Sequence, residues 1–265
     1  MNRHHVYTLQ PGHTPLLISL PHVGSAIPDE LQGRYTERAL QAEDTDWFLD
    51  RLYSFAQELG ASLVVPRYSR YVVDLNRSSD NAPLYPGQNH TELCPTRHFT
   101  GDPLYRDGMA PTPTEIAQRV ATYWQPYHDA LREQLAQLKS IHGHAVLLDA
   151  HSIKSELPWL FAGTLPHLNL GCANGSSCAP SLRDAVAAVF TAQSDYSHVV
   201  DGRFKGGHIT RHYGQPQQGV HAVQLELCWR AYMHEAPPYR WHDARAAQIS
   251  PLLRRMVQTL LDWQP

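Results

Sequence analysis

Two histidines stand where apolar segments of the chain end. The apolar run 16–20 leads into His22, and Gly24 then lets the backbone turn sharply. A second apolar run, 145–148, leads into His151. Sites in open α/β sheets form at the carboxyl ends of strands, so we expect the two imidazoles to meet there. Either histidine alone fits a buried structural role, but the pair favours a metal site or acid–base chemistry.

Three acidic residues follow the first histidine and are candidates for a third metal ligand: Glu43, Asp44 and Asp46. Two histidines and one carboxylate would leave a coordination position open for water. Acids at this place also have an ordinary explanation, because they cap a helix and complement its dipole. Asp46 suits capping least, but any one of the three could supply the third ligand. Asp149 shares a strand face with His151 and either orients that ring or ends the strand in solvent.

Glu226 lies inside the apolar run 223–227. If the side chain is buried, its pKa rises towards the range that suits proton transfer. Gln224 shares the same strand face, so a solvent-exposed polar face explains the pair equally well. The pattern alone leaves both explanations open.

Two donor-rich segments indicate a site for a small anion. One surrounds the run 71–73, and the other is the glycine-flanked turn 205–214. The planar guanidinium group of arginine forms bidentate hydrogen bonds with carboxylates, and glycine lets the backbone approach a ligand closely. The glycine pair matches no phosphate-loop pattern. The candidate substrate-binding residues are Arg70, Asn76, Arg77, Thr210, Arg211 and His212; His208 is a further candidate for the pocket wall.

The composition excludes several classes of partner. The 265 residues include 22 Lys and Arg against 25 Asp and Glu, a net charge of −3 without a basic block. Nucleic-acid and membrane-surface binders concentrate basic residues, so neither partner is expected. The first residues lack an apolar signal segment, and four cysteines without a C-x-x-C pair indicate reduced thiols. We therefore expect a cytoplasmic protein. The 17 histidines are far more than one site needs, and most require no function.

Strands and helices alternate along the chain, which indicates an α/β fold with an open sheet flanked by helices. The predicted strands are 16–20, 63–65, 71–73, 145–148 and 222–225. Four helices are predicted. The first begins after Asp44 or Thr45, and the second runs over 115–142 with a bend at Pro126. The third begins at a Ser181–Asp184 capping box, and the last begins at Ser250-Pro251. No repeat or linker is visible, so a single domain over 1–265 is expected. Two long loops, 78–113 and 159–180, are expected to wall a site.

Several blocks of sequence, in the same order along nearly the whole chain, resemble the N-formylglutamate amidohydrolase family. They are PHVG at 21–24, DTDWFLDRLY at 44–53, SRYVVDLNR at 69–77, LYPGQ at 84–88, LLDAHSIKS at 147–155, RFKGGHITRHYG at 203–214 and HAVQLEL at 221–227. Together they are far more specific than any one of them.

The resemblance implies a zinc-carboxypeptidase-like (phosphorylase/hydrolase-like) fold and metal-dependent hydrolysis of N-formyl-L-glutamate to L-glutamate and formate in histidine degradation. The implied cofactor is a divalent metal, with Zn²⁺ preferred, bound by His22, Asp46 and His151. The implied general base is Glu226, and the substrate is a small dicarboxylate amide. We expect a monomer or a small homo-oligomer. The chain departs from the carboxypeptidase H-x-x-E pattern, because Ser25 follows His22 at the third position.

Other functions remain open at this stage. Close alternatives are a related acyl-amino-acid amidohydrolase and a zinc carboxypeptidase. A different class is a non-catalytic protein that binds an acidic ligand through the arginines. A serine hydrolase using Ser152 is disfavoured, because the chain lacks the G-x-S-x-G turn of such enzymes.

Overall fold

The computed structural model describes residues 6–82 and 89–265, so His4, His5 and the block at 84–88 lie outside the described residues. Within the described part, seven strands form one sheet: β1 Tyr7–Gln10, β2 Leu16–Ser19, β3 Ser62–Pro66, β4 Ala145–Ile153, β5 Leu168–Gly171, β6 His198–Val200 and β7 Val220–Cys228. The α-helices are α1 Asp29–Gln32, α2 Leu49–Leu52, α3 Phe55–Glu58, α4 Pro113–Arg119, α5 Gln125–His142, α6 Pro180–Thr191, α7 His208–Tyr213 and α8 Asp243–Asp262. None of these described helices is long and apolar enough to cross a lipid bilayer.

The strand order is β1-β3-β2-β4-β7-β5-β6. The four neighbouring strands β3, β2, β4 and β7 run parallel to one another. Near the edges, β1 is antiparallel to β3 and β5 is antiparallel to β7, while β6 is parallel to β5. The predicted open, mixed α/β sheet is therefore confirmed. Because the central strands are parallel, their carboxyl ends meet at one edge of the sheet.

The two faces of the sheet are covered by different helices. Side chains of β4 alternate between faces. Val146 and Leu148 point into a core completed by α6 and α8, and Ala145 and Leu147 point into a core completed by α5. All four are fully buried, and burial of each leucine contributes about 1.5–3 kcal/mol. Apolar residues on both faces of β4 thus explain its continuous hydrophobic run.

The helix predicted over 115–142 contains a wider turn. Thr112 and Glu115 form a capping box at the start of α4, and Gly143 ends α5 in the left-handed conformation at φ 83°. Between the two helices, Val120–Trp124 forms a π turn directly before Gln125. Pro126 follows it and has no backbone N–H to donate, so the interruption predicted at this proline takes the form of a π turn.

Three predicted elements are wrong. Residues 71–73 form a buried turn instead of a strand. An ion pair between Arg70 and Asp74, on either side of the turn, joins its two ends. The helix expected before Gly60 starts only after Phe48, whose backbone is left-handed at φ 60°, and it is interrupted at Tyr53 (φ −94°, ψ 8°), so that the short α2 and α3 form instead. The predicted loop 159–180 contains β5, a strand of only four residues.

Two predicted helix starts are also wrong. Helix α8 begins at Asp243, so Pro251 lies inside the helix. Ala246 and Ile249, which precede the proline, are buried in the core, and their packing holds the first turns of the helix in place. Helix α6 follows Ala179 at its N-cap without a side-chain cap, and the hydroxyl of Ser181 instead accepts a hydrogen bond from the indole of Trp263.

Candidate active site

The predicted histidines meet at the carboxyl ends of the parallel strands. His22 lies just beyond β2, and His151 lies in the last part of β4. The backbone N–H of Asp46 donates to the carbonyl of His22 over 2.9 Å, which brings the acid to the same place. All three side chains are buried, with 3%, 1% and 3% exposure for His22, Asp46 and His151.

These three residues form a cluster that could hold a metal ion. The two Nδ1 atoms of His22 and His151 are 3.1 Å apart, and Oδ2 of Asp46 lies 3.3 Å from His151 Nδ1 and 3.8 Å from His22 Nδ1. Tetrahedral zinc ligands bound at about 2.0–2.2 Å are about 3.3–3.5 Å from one another. The observed spacings bracket that value, so the donor atoms fit a small divalent cation.

Two further carboxylates face the outer nitrogens of the rings. Asp74 lies 2.7 Å from Nε2 of His22, and Asp149 lies 3.1 Å from Nε2 of His151. A proton held on Nε2 leaves the Nδ1 lone pair directed into the cluster, which is the tautomer that binds metal. The guanidinium of Arg70, which can only donate, lies 3.2 Å from Nδ1 of His22, a distance compatible with this tautomer. Asp149 thus lies beside the ring of His151 and is buried, so the alternative of a solvated strand end does not apply.

Burial and charge shift the pKa values of these groups in different directions. Burial lowers the pKa of His22, with Arg70 acting in the same direction. Burial also acts to lower the pKa of His151, but the neighbouring Asp149 and Asp46 outweigh it and raise that pKa well above the usual range. Burial acts against the charge of Asp74, but Arg70 and His22 outweigh it and hold its pKa well below normal. The carboxylates of Asp46, Asp74 and Asp149 thus surround the two rings.

Glu226 lies beside the cluster because of strand register. It is paired with His151 in the parallel ladder of β4 and β7, and Gln224 is paired with Asp149 in the same way. Paired residues point to the same face, so the acid adjoins the histidine. Glu226 is buried, which raises its pKa to about 8. The exposed-face explanation of Gln224 and Glu226 is therefore wrong.

The other two candidate acids lie elsewhere. Asp44 accepts hydrogen bonds from the Tyr71 hydroxyl at 2.8 Å and the backbone N–H of Phe99 at 2.9 Å. Glu43 pairs with Arg38 at 2.8 Å. Neither caps a helix, because α2 begins after Phe48. Among the described contacts of these three acids, only Asp46 approaches His22 and His151.

Arg70 is buried at the cluster. Its guanidinium donates to Oδ2 of Asp74 over 2.5 Å and lies over the ring of Phe99, 4.5 Å from the centroid. Burial opposes the charge, but Asp74, Asp46 and Asp44 outweigh that effect and raise the Arg70 pKa. The cation is therefore fixed beside the candidate metal ligands on one side and an aromatic ring on the other.

A cavity opens over the cluster, and both polar and aromatic side chains line it. Its lining in the described part includes His22, Asp46, Arg70, Asn76, Arg77, Asn89, His90, Thr91, Phe99, His151, Ser152, Ile153, Leu160, Arg203, Phe204, Gly207, Gln224 and Glu226. Asn76 lies at its inner end, where the amide nitrogen is 2.8 Å from Nε2 of His151 and donates to Asp149 over 3.2 Å.

Several residues predicted to bind substrate lie outside that lining. Thr210 is buried behind the cluster and donates to Oδ2 of Asp149 over 3.2 Å. Arg211 and His212 are exposed on α7, and Nε of Arg211 donates to the carbonyl of Gly206 over 2.8 Å. His208 is also absent from the cavity lining and packs against Trp124. A helix at this turn directs these side chains away from the cavity.

Two residues of the site were not singled out from the sequence. Asp74 is separated from its partner His22 by a long stretch of chain, and the sequence contains no signal of that pairing. Arg203 lines the cavity although Arg211, in the same donor-rich segment, does not. The RFKGG context of Arg203 was visible, but the direction of its side chain was not.

The fold and the site define a parallel-centred α/β protein with a buried His–Asp–His cluster and an acid of raised pKa at the strand ends. The family model of N-formylglutamate amidohydrolase matches residues 14–233, and the chain belongs to this family. The chain is 50% identical over 258 residues to N-formylglutamate deformylase of Pseudomonas aeruginosa, covering 97% of both chains. It is 46% identical to N-formylglutamate deformylase of Pseudomonas putida over 258 residues, covering 97% of this chain and 96% of the relative.

Solved structures confirm the fold. The crystal structure of N-formylglutamate amidohydrolase from Ralstonia eutropha JMP134 superposes with a TM-score of 0.80 at 22% identity, covering 97% of this chain and 96% of the other. A gene product of Agrobacterium tumefaciens superposes with a TM-score of 0.74 at 18% identity, covering 98% and 96%.

Proposed function

We propose that the protein hydrolyses N-formyl-L-glutamate to L-glutamate and formate with a divalent metal, Zn²⁺, as cofactor. The observation that carries the proposal is the in-register pairing of His151 with Glu226, which places a potential proton acceptor beside the His–Asp–His cluster. The deformylase names of relatives at 50% and 46% identity support the substrate. A cytoplasmic location, a role in histidine degradation and a monomer or small homo-oligomer stay predictions.

His22, Asp46 and His151 would hold the metal, whose chemistry there is to polarise a carbonyl and acidify water. Nitrogen and carboxylate donors in a set of three suit Zn²⁺ and leave room for substrate. Asp74 and Asp149 orient the two rings through their outer nitrogens.

Glu226 is proposed to move the proton. Its carboxylate takes a proton from the water that attacks the formyl carbon and delivers it to the amide nitrogen as the C–N bond breaks. An amide nitrogen leaves poorly unless it is protonated. A pKa raised by burial to about 8 suits a group that must both accept and return a proton near neutral pH.

The cavity arginines are proposed to bind negative charge. Arg70, buried against the cluster, is placed to stabilise the oxyanion that forms on the formyl oxygen. Arg77 and Asn76 come from the same turn and line the cavity, so we assign them to the α-carboxylate of the substrate. Thr210 is assigned to hold Asp149 and not to touch substrate. Arg211 and His212 have no role in the proposal.

The test measures bound metal and released formate together. We expect one zinc per chain, loss of formate release on chelation and recovery on adding zinc back. Glu226→Gln should lower kcat by about 10³-fold while zinc stays bound. The surface variant Glu58→Gln, whose carboxylate pairs with Arg254, is the matched control and should match wild type.

The proposal fails if zinc-loaded protein releases no formate, or if Glu226→Gln is as fast as wild type. A panel of N-formyl, N-acetyl and N-succinyl glutamate and a short peptide separates a deformylase from other acyl-amino-acid hydrolases and from a carboxypeptidase. An anomalous-scattering map of zinc-soaked crystals should place one peak between His22, Asp46 and His151; a peak at Asp44 or Glu43 would contradict the third ligand.

A further inference from the structure

Arg203 follows β6 and lines the cavity. Its side chain is half-buried, and its NH2 group donates to the carbonyl of Leu160 over 3.1 Å. The guanidinium also lies over the ring of Phe204, 5.3 Å from the centroid. A carbonyl and an aromatic face hold the planar group in one orientation, which prepares it for two-point binding of a carboxylate.

The other two cavity arginines, Arg70 and Arg77, belong to the segment 70–77, which adjoins the cluster. Arg70 is bonded to Asp74 and to His22, so it belongs to the reacting centre. Arg77 follows Asn76, whose amide nitrogen lies 2.8 Å from the ring of His151. These two arginines therefore suit the negative charges of the substrate that lie close to the scissile bond, namely the oxyanion and the α-carboxylate.

Arg203 lies at the outer end of the cavity. It also lines an adjoining shallow groove, together with Leu160, Trp159 and Asn89, so it stands where the cavity and the groove meet. In N-formylglutamate, the α-carboxylate is attached to the carbon that bears the amide nitrogen, and the γ-carboxylate lies two methylene groups further away. A substrate with its formyl group at the cluster therefore directs only its γ-carboxylate towards the outer end.

We infer that Arg203 binds the side-chain carboxylate of the acylated amino acid and thereby selects acidic substrates. This inference rests on the proposed function. Arg77 and Arg203 then form the two cationic ends of the substrate site, with Arg70 kept for the reaction. The segment 203–214 thus contributes to substrate binding through Arg203 instead of Arg211.

The experiment compares two substrates that differ only in this charge, N-formyl-L-glutamate and N-formyl-L-glutamine. In Arg203→Gln, kcat/KM for the glutamate derivative should fall by about 100-fold, mainly through KM, because a charge-assisted pair is lost. The value for the glutamine derivative should stay within about 3-fold. Arg203→Lys keeps the positive charge but loses the bidentate guanidinium group. The ratio of kcat/KM for the glutamate derivative to that for the glutamine derivative should therefore fall by only about 10-fold.

Two control variants separate this role from others. Arg77→Gln should slow both substrates alike, because both carry the α-carboxylate. Arg254→Gln, on α8 and paired with Glu58 at the surface, should leave both rates unchanged. Binding of the product L-glutamate, measured by calorimetry, gives a readout without turnover and should weaken in Arg203→Gln by about the same factor as KM.

The possible failures are distinguishable. If wild type releases formate from neither compound, the proposed function itself is wrong. If wild type is active but Arg203→Gln or Arg203→Lys keeps the wild-type ratio between the two substrates, only the assignment of Arg203 is overturned. Equal loss on both substrates in a variant that melts at the wild-type temperature also overturns it, and the lysine variant decides the matter if the glutamine variant does not fold.

Discussion

One face of β4 changes in character halfway along the strand. Its first part presents Ala145 and Leu147 to α5, and its last part presents Asp149 and His151 to the cavity and its supporting loops. Exposure is 3% or less in both parts. Both halves share the strand backbone, the register with β7 and the degree of burial. The side chains alone therefore make the first half part of the core and the second half part of the candidate site. Exclusion of water favours packing in the first half and strengthens charge interactions in the second.

The polar half requires many partners that the apolar half does not. A buried polar group costs free energy unless it is paired; Oδ2 of Asp149 accepts hydrogen bonds from Asn76 and Thr210 and lies 3.1 Å from Nε2 of His151. Leu147 needs only close packing. We expect substitutions in the two halves to separate activity from stability.

The largest effect is expected from His151→Gln, in the polar half. The change removes a proposed metal ligand, so zinc per chain should fall to about a tenth or less and formate release by at least about 10³-fold, equivalent to about 4 kcal/mol. Circular dichroism should still show a folded protein. His142→Gln, at the end of α5, is the control. Full zinc content and rate in His151→Gln would contradict the proposed division of the face.

A smaller effect of the opposite kind is expected from Leu147→Ala, in the apolar half. Cavity formation should lower the free energy of unfolding by about 3 kcal/mol, as measured in urea. The folded variant should keep kcat within about 3-fold, because the site lies further along the strand. Leu261→Ala, only partly buried on α8, should cost clearly less. A large loss of kcat without a loss of stability would show that the halves are not separable.

The smallest effect is expected from Thr210→Val, which removes one hydrogen bond to Asp149 and keeps the shape of the side chain. Zinc affinity should weaken by about 3- to 10-fold, because His151 is held less firmly. KM measured with saturating zinc should stay within about 2-fold. The exposed Thr191→Val on α6 is the control. A rise in KM at constant zinc affinity would instead place Thr210 in contact with substrate.

Much of the site could be predicted from local pattern. His22, His151 and Glu226 each follow or interrupt an apolar run, and runs of that kind form the parallel strands whose ends meet. The same logic failed for residues 71–73. Aromatic and β-branched residues suit a strand, but they also suit a buried turn, and the pairing of Arg70 with Asp74 closes this one.

Side-chain direction could not be predicted in the segment 203–214. Arg203 and Arg211 lie in similar donor-rich surroundings, yet only the first lines the cavity. The difference follows from Gly206, whose φ of 106° redirects the chain before α7 begins. A glycine signals that such a turn is possible but not which way it goes. Asp74 was missed for a related reason, because its contact with His22 depends on tertiary structure.

The hydrogen-bonded ladder between β4 and β7 sets the distance between the two strands at the candidate site. Neighbouring strands are about 4.8 Å apart, a distance fixed by backbone hydrogen bonds. His151 and Glu226 face each other across that spacing, so their separation does not depend on the loops that form the cavity wall. Those loops can therefore change in sequence, and with them the range of acyl amino acids accepted, while the gap between the proposed metal ligand and the proposed proton acceptor stays constant.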